Sequence, residues 1–386
     1  MTSSGASEIP AAALPPTVWA LLDDRPGNTS QTRAVVEALG WPSVEKRLAF
    51  RPSARLHNRI LDASLFGLRG ESTATLTPPW PDLVVAAGRR SAPVVRYIGR
   101  ASGGASRLVV LGRKAGDHAD AFDLVATPAY ARLFEHPKRF VTSVPFHGVT
   151  PAALARAADA WRERFDAFAR PIVGVLVGGA TGQFSLSPDT ARRLGEDVVR
   201  VAADCGGSVI ATTSRRTDPT AALAFASALR DVDLAHRWSP GTRADENPYR
   251  GLLALADELI VTADSESMLA EATASGRPVF VYPLPQRRSF SALRLPREFI
   301  AARATPGGTG AGALFARLIE LGWSRPTRDL ALMHEHLIER GHAGRFRTPY
   351  NRATSTPASE LDAFVARVRG LFDSTEREPR RNGPSL

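Results

Sequence analysis

Short, nearly continuous apolar runs set the limits on this fold. They are Thr17–Leu22, Pro81–Ala87, Arg107–Leu111 and Phe122–Ala126, then Ile172–Val177, Ser208–Thr212, Leu259–Thr262 and Val279–Tyr282. Runs of this length that do not alternate with polar residues are strands buried on both faces. Helical stretches separate them, such as Gln31–Leu39 after the turn Asp23–Ser30. The pattern predicts an α/β protein with parallel sheets covered on both sides. It restarts after residue 150, and 386 residues exceed one ordinary core. Two doubly wound, Rossmann-like domains facing a cleft are therefore expected, at 17–150 and 151–350, with Pro151–Phe168 as a bridging amphipathic helix. A helix within 351–374 follows, starting near Thr356 and Pro357. Its apolar face is Leu361, Phe364, Val365, Val368, Leu371 and Phe372. Residues 1–16 and 375–386 are polar or Pro-rich and read as disordered tails.

Lys and Arg exceed Asp and Glu by 49 to 39, a surplus of +10 that favours anionic partners. Zinc-finger spacing, aromatic RNA-binding strands and basic heptads are missing, so nucleic acid is not expected. The lone cysteine, Cys205, is expected to be a small buried residue. The chain has no run of about 18 apolar residues and no signal-peptide pattern. A reducing cytoplasm is the expected location.

The most telling segment is Glu258–Ala272 followed by Gly276–Tyr282. It reads as strand, polar turn, helix, strand. Asp264, Ser265, Ser267 and Met268 fall where the helix begins. There unpaired N–H groups and the positive end of the dipole suit a phosphate. Glu271, further along the same helix, can accept hydrogen bonds from a sugar. The competing reading is a turn that merely caps its helix.

Other polar turns also follow apolar runs. Gly178–Gly182, with Gly178 and Gly179 leading, allows close approach of backbone to phosphate, or is a tight turn for steric reasons. Ser214, Arg215 and Arg216 can pair with a diphosphate, or form a solvated basic turn. Asn247 reads as an N-cap with Pro248 at N1 of a helix Arg250–Ala256; Tyr249 is then a candidate wall beside a nucleoside. Asp24, Arg25 and Asn28 cluster in the first turn, with Asp24 a candidate general base. Arg89 and Arg90 follow the second run and suit an anionic acceptor. His147 is a second candidate base. Val44–Gly70 interleaves Lys/Arg with Leu48, Phe50, Leu56, Ile60, Leu61, Leu65 and Phe66. That is either a basic amphipathic surface for an acidic membrane or a helix with a core-facing stripe.

Asp24–Asn28 with Gln31, Pro81–Pro93, Gly178-Gly179, Ser214–Thr217, Glu246–Tyr249 and Thr262–Met268 with Glu271-Ala272 occur in an order that resembles the bacterial branch of the "elongated mitochondria" mitochondrial-fission family. The second half is also similar to GT-B glycosyltransferases of the peptidoglycan GlcNAc-transferase type, on Glu271 followed by Ala274–Pro278. The resemblance implies a nucleoside-diphosphate sugar as substrate, with no cofactor and no metal. It also implies that Glu271 binds the ribose and that Ser265 and Ser267 contact the diphosphate. Pro128-Ala-Tyr-Ala131 stands where the family tends to have Pro-x-His-Asp, so a His/Asp role fails there. The leading expectation is a glycosyltransferase acting on an envelope glycolipid or saccharide, cytoplasmic or peripheral on the inner membrane. An epimerase of such sugars and a non-catalytic membrane scaffold are the alternatives.

Overall fold

The computed structural model describes residues 14–113, 119–239, 241, 243, 245–324, 326–353 and 360–373. Six strands form the first sheet: β1 (Val18–Leu22), β2 (Ser43–Arg47), β3 (Leu83–Ala87), β4 (Arg107–Leu111), β5 (Leu124–Pro128) and β6 (Arg139–Thr142). A second sheet contains β7 (Ile172–Val177), β8 (Ser208–Thr213), β9 (Leu234–His236), β10 (Glu258–Thr262), β11 (Val279–Tyr282) and β12 (Gly344–Arg345). All pairings within each sheet are parallel. The strand orders are β2-β1-β3-β4-β5-β6 and β12-β11-β10-β7-β8-β9. The expected pair of doubly wound parallel sheets is present.

The burial pattern explains the strands. Every residue of β1, β3, β5, β7 and β8 is buried. Each Val or Leu so placed contributes about 2 kcal/mol by leaving water. The strands missing from the sequence reading are edge or near-edge ones. β2, Ser-Val-Glu-Lys-Arg, is mostly exposed, and β9 and β12 have three and two residues. Such strands hold place by backbone pairing and carry no apolar signal.

Several boundaries move. The first helix runs Pro26–Leu39, so the turn before it ends at Arg25; Pro26 fits its first turn because it needs no N–H partner there. The bridging helix stops at Phe165. The Val44–Gly70 region is neither one helix nor one basic face. It divides into β2, a 3-10 turn at Pro52–Arg55 and a short helix at Asn58–Leu61. Leu48, Leu61 and Leu68 turn inward while Leu56, Ile60 and Phe66 remain exposed. Cys205 is exposed, not buried. The last helix, Leu361–Asp373, packs Phe364, Val365 and Val368 into the core of the first sheet, with Leu361, Leu371 and Phe372 beside them. Thr356 and Pro357, and most of both tails, lie outside the described residues. Sequence reading missed the helix Arg288–Arg303, which contains Pro296 and buries little.

Candidate active site in the cleft

In each sheet, consecutive crossovers depart in opposite directions at one place: between β1 and β3, and between β7 and β10. Ligands of open α/β sheets bind at the carboxyl ends of strands beside such points. The turns after β1 (Asp23–Arg25), β3 (Gly88–Ser91), β7 (from Gly178) and β10 (Ala263–Ser265) are those singled out from sequence. The fold brings the two sets together. A Cβ added at Gly27, in the first turn of helix Pro26–Leu39, would lie 2.6 Å from Ser267 Oγ, in the first turn of helix Glu266–Ala274.

Three clusters result. In the first, Asp264 is 1% exposed and fully engaged. Gly179 N–H donates to its Oδ2 at 2.9 Å, Thr262 Oγ1 to its Oδ1 at 2.7 Å, and Arg216 Nη2 to its Oδ2 at 2.9 Å. Burial pushes its pKa up; the Arg216 charge, the Gly179 amide and the Thr262 hydroxyl pull it back. A Cβ on Gly178 would strike the Asp264 carboxylate at 2.2 Å, and one on Gly179 would strike Arg216 O at 2.1 Å. These glycines permit close packing of the turns after β7, β8 and β10. Ser214 completes that frame, its N–H donating to Thr217 Oγ1 at 2.9 Å.

In the second cluster, Tyr249 Oη donates to Glu271 Oε2 at 2.5 Å, and Ser30 Oγ donates to Oε1 at 3.2 Å. Burial raises the pKa of Glu271, with the Tyr249 and Ser30 bonds opposing. Burial and the Glu271 charge push the Tyr249 phenol well above its ordinary value. A cavity adjoins them, lined by Gly148, Val149, Leu154, Arg250 and Leu253 among others. Asn247 Oδ1 accepts from Tyr249 N–H at 3.0 Å and from Thr212 Oγ1 at 2.9 Å. The helix begins at Tyr249 with Pro248, not Asn247, at its N-cap; Asn247 sits one residue earlier and ties the Tyr249 amide to Thr212. Met268 packs against the core of the second sheet.

The third cluster surrounds Asp24. Arg90 pairs with Asp24 and lies 3.2 Å from Asp23 Oδ2. Burial raises the Asp24 pKa, but the Arg90 hydrogen bond and the charges of Arg90, Arg215 and Arg25 hold it below the usual range. Asn28 Nδ2 donates to Asp23 at 2.8 Å beneath Gly88, whose φ of 85° suits glycine. Arg89 faces elsewhere. It donates to the carbonyls of Ala54 and Leu56 and to Asn58 Oδ1, and so holds the loop after β2. His147 is half-buried, its Nδ1 enclosed without a hydrogen bond, and burial lowers its pKa.

The sequence reading of the site did not include Ser30, Glu266, Tyr130 and Arg328. Tyr130, 2% exposed, donates its phenol to Glu266 from the far half, and Arg328 Nη2 reaches the same carboxylate at 3.2 Å. No local pattern announces pairs so distant in sequence.

The family model of mitochondrial fission ELM1 matches residues 26–298, more than half of the chain; the match takes in the Asp264 and Glu271 clusters and begins just after Asp23, Asp24 and Arg25 of the third. The chain belongs to this family. It is 29% identical over 244 residues to the mitochondrial fission protein ELM1 of Arabidopsis thaliana, covering 58% of this chain and 56% of the plant protein. The chain thus spans little more than half the length of that relative. It is 22% identical over 302 residues to an uncharacterized protein of Rickettsia prowazekii, covering 70% and 84% of the two chains. Solved structures similar to this family member include the UDP-GlcNAc 2-epimerase of Methanocaldococcus jannaschii, at 13% identity and TM-score 0.49 over 93% of this chain and 100% of that one. Phytolacca americana UGT2, complexed with UDP-2-fluoroglucose and pterostilbene, is similar at 11% identity and TM-score 0.43, over 93% and 100%. The fold assignment rests on the two parallel sheets themselves.

Proposed function

We propose that the cleft binds a nucleoside-diphosphate sugar and that the protein transfers the sugar to a glycolipid or saccharide acceptor. The observation that supports this best is Glu271. Each of its carboxylate oxygens takes one hydroxyl hydrogen bond, from Tyr249 and Ser30. Two neighbouring hydroxyls on one carboxylate are also what a ribose diol requires, so a nucleoside can replace the protein's own donors bond for bond. The N-terminus of helix Glu266–Ala274, in the same cleft, suits the diphosphate.

The charges fit this use. Arg25 and Arg215 come from opposite halves and both act on Asp24. They can stabilise the charge that grows on a departing diphosphate. As Gly27 covers Ser267, donor binding requires the halves to part, and closure then excludes water. Of the two candidate bases, Asp24 is neutralised by Arg90, whereas burial keeps His147 uncharged and able to accept a proton.

Calorimetric titration with UDP, GDP and ADP tests the reading. At least one should bind, and Glu271→Ala should bind it more weakly. Indifference of the wild type to all three, or unchanged affinity in the variant, removes the proposal. Epimer formation from a UDP-sugar supplied without acceptor would replace transfer by epimerisation.

A further inference from the structure

Helix Arg288–Arg303 has 16 residues, yet among its described residues only Phe290 is buried. Helices this short draw their stability mainly from a packed apolar face. This one turns apolar groups the other way. Arg288, Ala292, Leu295, Phe299 and Arg303 recur at spacings of three and four, which places them on one stripe. The opposite side carries Phe290 and meets the protein. Leu295 is 78% exposed and Phe299 50% exposed. No carboxylate stands on the stripe: Glu298 lies on the flank and pairs with Arg132.

The surface continues beyond the helix. Phe299 meets Phe315 of helix Gly310–Glu320, ring centroids 6.2 Å apart, and Leu314 on that helix is exposed. Trp323, 59% exposed, stacks flat on His57 at 4.7 Å. Leu56 and Ile60 flank His57 and are exposed as well. From 287 to 323 the chain carries Arg287, Arg288, Arg294, Arg297, Arg303 and Arg317 against Glu298 and Glu320.

We propose that the stripe Arg288–Arg303 docks on an anionic lipid surface. An apolar pair with an arginine at each end suits the boundary between headgroups and acyl chains. Leu295 and Phe299 enter, while the guanidinium groups stay among the phosphates. Arg303 already lies over the Phe299 ring, 3.8 Å from its centroid, so charge and apolar area move as one unit. The surplus of positive charge gives the complementarity that an anionic surface demands. The inference is independent of what the cleft binds.

Vesicle flotation with the full chain decides it. Vesicles of phosphatidylcholine alone and with phosphatidylglycerol are compared, at low and high salt. The wild type should float with the anionic vesicles and be released by salt. Leu295→Glu/Phe299→Glu should need at least about tenfold more lipid for half-binding, and Arg288→Glu/Arg303→Glu should lose the preference for phosphatidylglycerol. All four side chains are exposed, so an unchanged melting temperature shows that each variant is folded. Equal flotation with both vesicle types, or a Leu295/Phe299 variant that binds like the wild type, overturns the proposal. So does lipid-free self-association of the wild type that this variant abolishes, because the stripe is then an interface between copies. UDP titration of the same samples keeps failure here distinct from failure of the cleft reading.

Discussion

Ser30 donates a hydrogen bond across the cleft to Glu271, Oγ to Oε1 at 3.2 Å, although 241 positions separate the two residues. The carboxylate proposed to take the ribose thus also links the two halves. On that proposal, ligand binding and closure compete for one acceptor.

Replacing Glu271 should therefore alter affinity and shape together. Glu271→Ala is expected to weaken nucleoside-diphosphate binding by roughly ten- to a hundredfold, the usual range for bonds to a charged group. The free variant should also show a larger radius of gyration in solution scattering, because the Ser30 contact is gone. Unchanged scattering would mean that Ser30 and Glu271 do not contribute to closure. The pH dependence has a definite sign. Burial raises the folded-state pKa of Glu271 above its unfolded value near 4.5. Its contribution is fully present below that value and is lost as pH rises through the raised folded pKa. Glu271→Gln should gain stability relative to wild type as pH rises through this window, followed by urea unfolding.

His334 is an acid-sensitive point behind the β10 turn, where it meets the backbone of Ala263. It is 8% exposed beside Phe184, and burial depresses its pKa from 6.5 to about 4. The folded state binds fewer protons than the unfolded one between these values. Stability is full above pH 6.5 and falls as pH drops toward 4, by about 3 kcal/mol from this residue. His334→Gln should flatten the slope of unfolding free energy across that window. An identical slope in the variant would assign the acid loss to other groups.

Gly179→Ala should destabilise by about 3 kcal/mol, since the added Cβ meets backbone and not a movable side chain. Gly182→Ala, in the same turn with nothing within 4 Å of its Cβ, should change the melting temperature little. Equal effects would refute the packing role assigned to Gly179.

Asp24 and His147 can be separated by turnover once a donor is found. His147→Gln should lower kcat by about a hundredfold or more if it accepts the proton. Asp24→Asn should act chiefly on KM, by releasing Arg90 and loosening Arg25 and Arg215. A kcat loss confined to Asp24→Asn would reverse the assignment.

The sequence itself determined the parallel sheets, because strands such as Val-Gly-Val-Leu-Val at 173–177 have no polar face to show to water. It also marked the turns after β1, β3, β7 and β10, where polar residues interrupt apolar runs. It could not reveal what those turns contact. Asp264 looked like a phosphate-side residue and is held by Arg216 and Gly179; Arg89 looked like an acceptor site and secures a neighbouring loop. The exposed stripe of Arg288–Arg303 was hidden as well, since Leu and Phe in sequence do not say which side of a helix the core occupies. Local propensity and periodicity act over a few residues. The pairing of Ser30 with Glu271 and of Tyr130 with Glu266 arises only when the halves built on the two sheets meet, and the tertiary structure alone decides it.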